Sequence, residues 1–417
     1  MGRRPGGWVN PDNGPPLHER PGLRAALVVF GGLICQMGLG YNYVFGAVAP
    51  DIITDFGWTK AEFSGARAPQ LWVMALASPL VGFFVVRFGA RAVLVTSTVL
   101  LGGSFLLLSG MGALWQLYAI LCVQALSVTG LGDITVGQLV SRWFGRHRGL
   151  ALGIVYTGSN LGGALLVRSA GLAASPGAWR DIFQAMGGVA LLVMLPVAFF
   201  AVREPRGLEG AVAGPAEADA GDRDLSLPQA LRTRSFWVLA VALATFFFYF
   251  VAILDHLVLH LTELGWSAGD ARTHLSNAIL IGIVSKIGFG WIADRLAART
   301  ATLLDYGLLA VSSFFLLFPA NGATTWIFVV LFGFSAAARD VVYPLVIVHC
   351  FGVRAMAQIY GVLMLALPAG ALGAWFAASV SDASGGYAAA FLTFAILNVL
   401  AFAALLFVRD EREIYST

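Results

Sequence analysis

Residues Ile281 to Arg295 read IGIVSKIGFGWIADR, an apolar helical run that holds one lysine and ends in Asp294 and Arg295. At about 1.5 Å per residue, the eight residues from Lys286 to Asp294 span roughly 12 Å of helix. In a bilayer whose hydrocarbon is about 30 Å thick, Lys286 then sits near the middle. The chain has one other lysine, Lys60. Whether Lys286 lies in oil, and what would hold an ammonium there, decides both fold and function.

Composition argues for the membrane. The 417 residues are 58% hydrophobic and 12% charged, where a soluble chain carries about 25% charged residues. A net charge of +3, with arginines in separate short clusters, does not suggest a nucleic-acid partner. Cys35, Cys122 and Cys350 all fall in apolar segments and read as small hydrophobes, so neither disulfides nor a metal site is expected. There is no Walker loop and no metal-ligand spacing, hence no expected cofactor and no enzyme signature. GSNLGG at Gly158–Gly163 follows no strand and reads as helix packing. The first twenty-four residues are Pro/Gly/Arg-rich and lack the short apolar core of a cleavable signal.

Twelve apolar runs of spanning length follow one another, six between residues 23 and 202 and six between 236 and 408. Helices satisfy their backbone groups internally, so they are the form such runs take in lipid. Small-xxx-small faces such as Gly158/Gly162 and Gly370/Ala374 suit close helix contact. The loops after spans two, four, six, eight and ten are basic, with Arg87, Arg91, Arg142, Arg203, Arg295 and Arg354 among them. The alternate loops carry acids such as Asp55 and Glu263. Both termini are therefore expected in the cytoplasm. Residues 1–22 read as a cytoplasmic segment, the polar stretch 203–235 as a linker between two six-helix halves, and 409–417 as a tail.

The halves repeat. Phe56-Gly57-Trp58 matches Leu264-Gly265-Trp266 and Arg87 matches Arg295, each 208 residues on. FGRHR from Phe144 matches FGVRA from Phe351, 207 residues on. A nearly constant offset at separated places indicates two parallel repeats about an axis along the membrane normal, with a central site between them.

At this point the chain resembles the major facilitator superfamily. That superfamily's loop signature, Gly-x-x-x-Asp-Arg-x-Gly-x-Arg, appears as GFFVVRFGAR at Gly82–Arg91 and as GWIADRLAAR at Gly290–Arg299. The first copy has Val86 in place of the aspartate, and the second has Ala297 in place of the second glycine. FGAVAPDIITDFGWTKAEFSGA, VSRWFGRHRGLALGIVYTGSNLGG and LTELGWSAGDA are similar to the monocarboxylate/oxalate–formate branch. In that branch the Lys286 position is normally arginine and contacts the substrate carboxylate. The resemblance thus implies an anionic substrate at Lys286, and gating by Asp294, Arg295, Arg87 and Arg91.

Other ionisable groups inside the predicted spans are Asp133, Asp255, His256, Arg339 and Asp340. At about 2.5–3.5 kcal/mol for each Asp, Lys or Arg at a helix centre, they must face water or one another. Asp133 and Asp340 are repeat mates, 207 residues apart, on helices four and ten. They are candidates for proton coupling, together with Asp255 and His256. The alternative is that each aspartate pairs with Arg339 or Lys286 to hold the bundle together. Arg339 and Asp340 point about 100° apart on a helix, so at most one is expected to face the cavity directly. Tyr41, Asn42, Gln138, Asn160, Tyr249 and Tyr343 are candidates for orienting the substrate beside Lys286, with ordinary interhelical packing as the alternative for each.

The expected protein is an all-α membrane protein with twelve transmembrane helices in two pseudo-symmetric six-helix bundles, the major facilitator fold. It is expected in a bacterial cytoplasmic (inner) membrane, where a monomer suffices. The expected function is alternating-access transport of a small monocarboxylate or related organic anion, with a proton as the coupled partner. Two alternatives stay open: an organic-anion antiporter, and a proton-coupled exporter of cationic or amphipathic compounds. The exporter is favoured by three buried aspartates against two buried cations.

Overall fold

In the computed structural model the described residues are 21–41, 52–58, 60–145, 147–172, 178–204, 224–318 and 322–415, and among them there is no strand. The first half contains α1 (Pro21–Met37), α2 (Arg67–Phe88), α3 (Ala90–Ser109) and α4 (Leu114–Leu131, resuming as Asp133–Trp143). It continues with α5 (Arg148–Leu172) and α6 (Ala178–Val189, continuing to Leu195–Phe200). The second half contains α7 (Arg234–Glu263), α8 (Ala268–Leu296), α9 (Ala298–Phe315) and α10 (Gly322–Phe351). It closes with α11 (Met356–Leu363, resuming as Ala369–Ser384) and α12 (Ala388–Leu405).

Of the described helices, 10 are long and apolar enough to cross a membrane by length and composition. The two outside that set, α5 and α9, carry internal polar groups, Asn160 and Asp305 respectively. Trp72, Leu76, Leu80, Leu192 and Trp375 are all exposed. Such a surface suits lipid, and in water it would be an aggregation hazard.

The repeat is carried into the backbone. Gly57 and Gly265 both adopt positive φ, 66° and 92°. The next residue closes the same turn twice, Trp58 N–H donating to Ile53 O at 3.2 Å and Trp266 N–H to Leu261 O at 3.1 Å. The α2–α3 and α8–α9 connections match as well, with Gly89 at φ 87° and its mate Ala297 at φ 71°. A side chain is rarely tolerated there, so Ala297 is a strained position where its partner uses glycine.

Two seams related by the repeat join the halves, α5 against α8 and α2 against α11. Backbone approaches backbone along both. A Cβ on Gly149 would lie 2.3 Å from Gly290 O, and one on Gly153 2.4 Å from Lys286 O. In the other seam, a Cβ on Gly82 would lie 2.3 Å from Ala357 O and one on Gly361 2.5 Å from Ser78 O. The glycine faces expected from the sequence pack inside the halves: Gly158 and Gly162 meet Leu33 O and Met37 O of α1, and Gly370 meets Val251 of α7.

The last part of the stretch expected to be a polar linker is folded. Leu225 is buried and donates its N–H to Phe351 O at 2.9 Å. Asp224 accepts from the N–H groups of Val353 and Arg354 at 3.0 and 2.9 Å. One apolar side chain and one acceptor for two orphan amides are enough to dock it on the α10–α11 turn. Residues 1–20 and 205–223 lie outside the described residues.

Candidate functional site

Lys286 projects from the middle of α8 into the α5–α8 seam, where its side chain is 4% exposed. An ammonium has three protons and no acceptor, and all three are engaged. The Nζ donates to Tyr156 O at 3.0 Å and to Ser159 Oγ at 3.0 Å, both on α5, and lies 2.9 Å from Asp340 Oδ2 on α10. Gly153 lets α5 come close enough for its carbonyl to reach this amine, because no Cβ separates the two backbones.

Asp340 holds a different cation with each oxygen. Its Oδ1 lies 2.5 Å from an Arg339 terminal nitrogen, so these neighbours curl toward each other although they leave the helix about 100° apart. Arg339 also lies 3.5 Å from Asp133 Oδ2 and donates to Tyr360 OH at 3.1 Å. Tyr360 OH in turn donates to Asp133 Oδ2 at 3.4 Å. The Arg339 guanidinium stands 5.4 and 5.3 Å from the ring centres of Phe246 and Phe247 on α7, and its Nε–H has no hydrogen-bond partner among the described residues. Two acids and two bases, contributed by α4, α8 and α10, therefore form one electrically balanced cluster. Asp340 is its most accessible member, 20% exposed against 12% for Asp133 and Arg339.

Asp255, expected among the buried acids, is exposed at the outer surface of α7. The acidic surplus counted from the sequence does not exist in this cluster. Sequence reasoning missed a different acid, Asp305 of α9, which is 2% exposed, its Oδ1 lacking a hydrogen-bond partner among the described residues. It stands next to Tyr306, whose OH lies 2.8 Å from Tyr343 OH. It lies seven residues from the start of α9, about two turns in, and was not among the ionisable groups singled out from the sequence.

His256 ties α7 to its own half. Its Nε2 faces Ala374 O at 3.0 Å and must donate there, which leaves Nδ1, 3.2 Å from Tyr387 OH, to accept. Tyr343 donates to Leu239 O at 3.1 Å, and Tyr249 packs edge-on against Phe332 and Phe394 inside the second half. Tyr41 is buried against Gln70, with which it hydrogen-bonds. Asn160 bridges the halves, its Nδ2 donating to Ile279 O at 3.1 Å. Asn42 lies outside the described residues. Of the candidate polar residues, Asn160 thus shares the α5–α8 seam with Lys286, while Tyr41, Tyr249 and Tyr343 pack within single halves.

A second constellation lies on the arginine-rich face. Asp294, at the end of α8, accepts from Gly149 N–H at 2.6 Å and Leu150 N–H at 2.9 Å in the first turn of α5. A carboxylate suits the orphan amides and the positive end of a helix. Its mate, Val86, has no acceptor. There, Gln138 of α4 does the corresponding work: its Oε1 accepts from Ala357 N–H at 3.0 Å, and its Nε2 donates to Val353 O at 2.9 Å. Gly149 and Ala357 occupy corresponding places in the two seams, their carbonyls lying against Gly290 and its mate Gly82. Gln138, read from the sequence as a substrate contact, is thus a cross-half cap on α11. The arginines of the loop signature rest on aromatic rings: Arg87 on Phe88, Arg91 on Phe199 and Arg295 on Trp291, at 5.6, 4.4 and 3.8 Å.

A balanced charge cluster at the seam of two repeated helical bundles, with end clamps between the bundles, is the architecture of a secondary transporter. The sequence profile of the Major Facilitator Superfamily matches residues 28–367, and the chain belongs to that family. It is 27% identical over 355 residues to monocarboxylate transporter 13 of Bos taurus, covering 84% of this chain and 80% of that one. It is 26% identical over 416 residues to the oxalate:formate antiporter of Oxalobacter formigenes, covering 95% and 94%. The fold matches the transporter FucP, solved in an outward conformation, with a TM-score of 0.73 at 14% identity, covering 92% of this chain and 98% of that one. The protein is an integral membrane transporter for a small molecule, and not an enzyme.

Proposed function

We propose that the protein carries a small monocarboxylate together with a proton, with Lys286 as the anion's anchor and Asp340 as the group whose protonation frees it. The observation that carries this reading is the saturation of Lys286 by Tyr156 O, Ser159 Oγ and Asp340. An incoming carboxylate has to take one of those three places. The backbone carbonyl cannot leave, and the serine hydroxyl can turn to donate to the newcomer. Asp340 is the anionic partner, so two carboxylates on one ammonium would repel unless one takes a proton. A proton on Asp340 weakens its hold on both Lys286 and Arg339, and the unpartnered Arg339 Nε–H becomes a second donor for the substrate. Release of the anion on the far side lets Asp340 re-ionise onto Lys286, which links the two fluxes.

Asp133 stays with Arg339 and Tyr360 in this scheme and keeps the arginine oriented. His256, with both nitrogens satisfied inside one half, acts as a structural tie. Residues 23–202 and 236–408 rock as two bodies joined by 203–235, with both termini in the cytoplasm of a bacterial cell. Asp294 and Gln138 then latch the cytoplasmic face.

Anion exchange is the second reading, supported by similarity to an oxalate:formate antiporter along 95% of the chain. In that scheme an arriving anion displaces Asp340 without a proton. Export of cations is the third reading: Asp255 is exposed, but buried Asp305 takes its place in the count of three acids to two cations. Uptake of labelled formate, lactate and pyruvate into proteoliposomes separates the readings. Symport predicts stimulation by an acid-outside gradient into empty vesicles. Uptake that ignores the pH gradient and needs a second anion inside would overturn it in favour of exchange.

A further inference from the structure

A cavity of about 510 Å³ opens on the arginine-rich face, where the beginnings of α7 and α9 meet the ends of α10 and α12. Its walls carry Arg234, Arg299, Arg409, His349 and Asp410, none of them a member of the ionic cluster.

The charges do not cancel. Asp410 is taken by Arg412 through both oxygens, at 3.0 and 2.7 Å. Arg409 lies 3.6 Å from Glu411. Arg299 donates from Nε and a terminal nitrogen to Val408 O and Leu406 O, both at 2.7 Å, which fixes its guanidinium on the wall without neutralising it. Arg234 rests 4.4 Å from the centre of the Phe407 ring, and no acid pairs with it among the described residues. Two pre-positioned guanidinium groups and an imidazole therefore face one concave space.

The rim supplies the other half of the recognition. Leu406 and Phe407, just past the end of α12, line the cavity and are exposed, as are Trp237 and Val241, three and seven residues beyond Arg234 on α7. Trp237 anchors its indole N–H on Leu231 O at 3.0 Å, as a ring at a membrane–water boundary does. At i, i+3 and i+7, Arg234, Trp237 and Val241 share one face of α7, so a phosphate bound at Arg234 would have exposed apolar side chains further along that face for its attached chains.

We propose that this cavity binds the phosphate of an anionic phospholipid, held by Arg234 and Arg299, with its acyl chains lying along α7 and α12. Inorganic phosphate shares the headgroup's chemistry but lacks those chains, and the two sources are separable.

The test uses the purified full chain in phosphatidylcholine nanodiscs with and without phosphatidylglycerol, followed by extraction in detergent and mass-spectrometric counting of retained phosphatidylglycerol. Wild type is expected to retain it, and Arg234→Gln to retain about fivefold less, as loss of one interfacial cation implies. Arg203→Gln removes a charge from the same face but outside the pocket and is expected to match wild type. Arg234→Lys keeps the charge and is expected to retain lipid, which separates recognition from misfolding. Equal loss in Arg234→Gln and Arg203→Gln would overturn the proposal. So would thermal stabilisation by inorganic phosphate, dependent on Arg234, that equals the effect of phosphatidylglycerol, since the site would then serve a soluble anion.

Discussion

Replacing Asp294 by asparagine is expected to loosen the arginine-rich face of the transporter. In the structure one carboxylate accepts two backbone N–H groups of α5, at 2.6 and 2.9 Å, and so fastens the end of α8 to the start of a helix in the other half. Asparagine keeps one acceptor oxygen and loses the charge. The clamp then loses about one charge-assisted hydrogen bond, roughly 1.5–3 kcal/mol, relative to the separated state in which water serves the same groups. That shifts the closed-to-open ratio by about ten- to a hundredfold. Spin labels on Phe88→Cys and Leu296→Cys, exposed at the ends of α2 and α8, report the separation of the halves. The background replaces Cys122, the native cysteine that is not fully buried. Wild type is expected to give one short distance, and Asp294→Asn to add a longer population. Gln138→Leu, which removes both contacts of the matching cap on α11, is expected to do the same. An Asp294→Asn distribution indistinguishable from wild type would refute the clamp.

Other consequences concern the cluster, a strained turn and the α1–α2 connection. Lys286→Gln leaves Asp340 with Arg339 and some solvent, so it should destabilise by less than the roughly 3–5 kcal/mol of a fully buried broken pair. Adding Asp340→Asn should recover part of the loss, and strictly additive effects in denaturant unfolding would deny the pair. Ala297→Gly, at φ 71°, should stabilise the protein by about 1 kcal/mol, because the strain relieved exceeds the glycine's added backbone entropy. No rise in melting temperature would count against that strain. In the α1–α2 connection, hydrogen bonds from Trp179 and Arg180, both at 2.9 Å, hold the Asp55 carboxyl below its ordinary range. A lowered folded pKa stabilises above the ordinary carboxylate pKa and loses that contribution as pH falls through the lowered value. Asp55→Asn should therefore melt earlier than wild type at neutral pH, with the gap closing in strong acid.

The repeat was legible because glycine and tryptophan at equal offsets mark a turn whose backbone geometry forces those residues. Lys286, Asp133 and Asp340 were legible for a different reason: a charge in an apolar run stands out against its cost. Arg339 and Lys286 were named as possible partners of the two aspartates, and the structure shows those ion pairs; which acid would hold which cation was not legible, since pairing depends on helix rotation and on which helices touch. Gln138 illustrates this. Its amide gave no sign that it would cap α11, although Val86 in the first loop signature left that helix start without a carboxylate. Asp255 shows the converse error, as depth along a helix does not say which face lies outward. Glu204 and Glu411 were a missed signal: they are 207 residues apart, and each accepts a helix-start amide, from Ala90 at 2.6 Å and Ser235 at 3.2 Å. Their positions just beyond the sixth span of each half made them look like ordinary surface acids.

The exchange of Asp340 for a substrate carboxylate on Lys286 is most directly tested by equilibrium binding of lactate or formate to the purified protein, at neutral and at acid pH. Wild type is expected to bind about tenfold or more tightly in acid, Asp340→Asn with the same affinity at both, and Lys286→Gln at neither. Binding by Lys286→Gln equal to wild type, or wild-type affinity that does not change with pH, would contradict it.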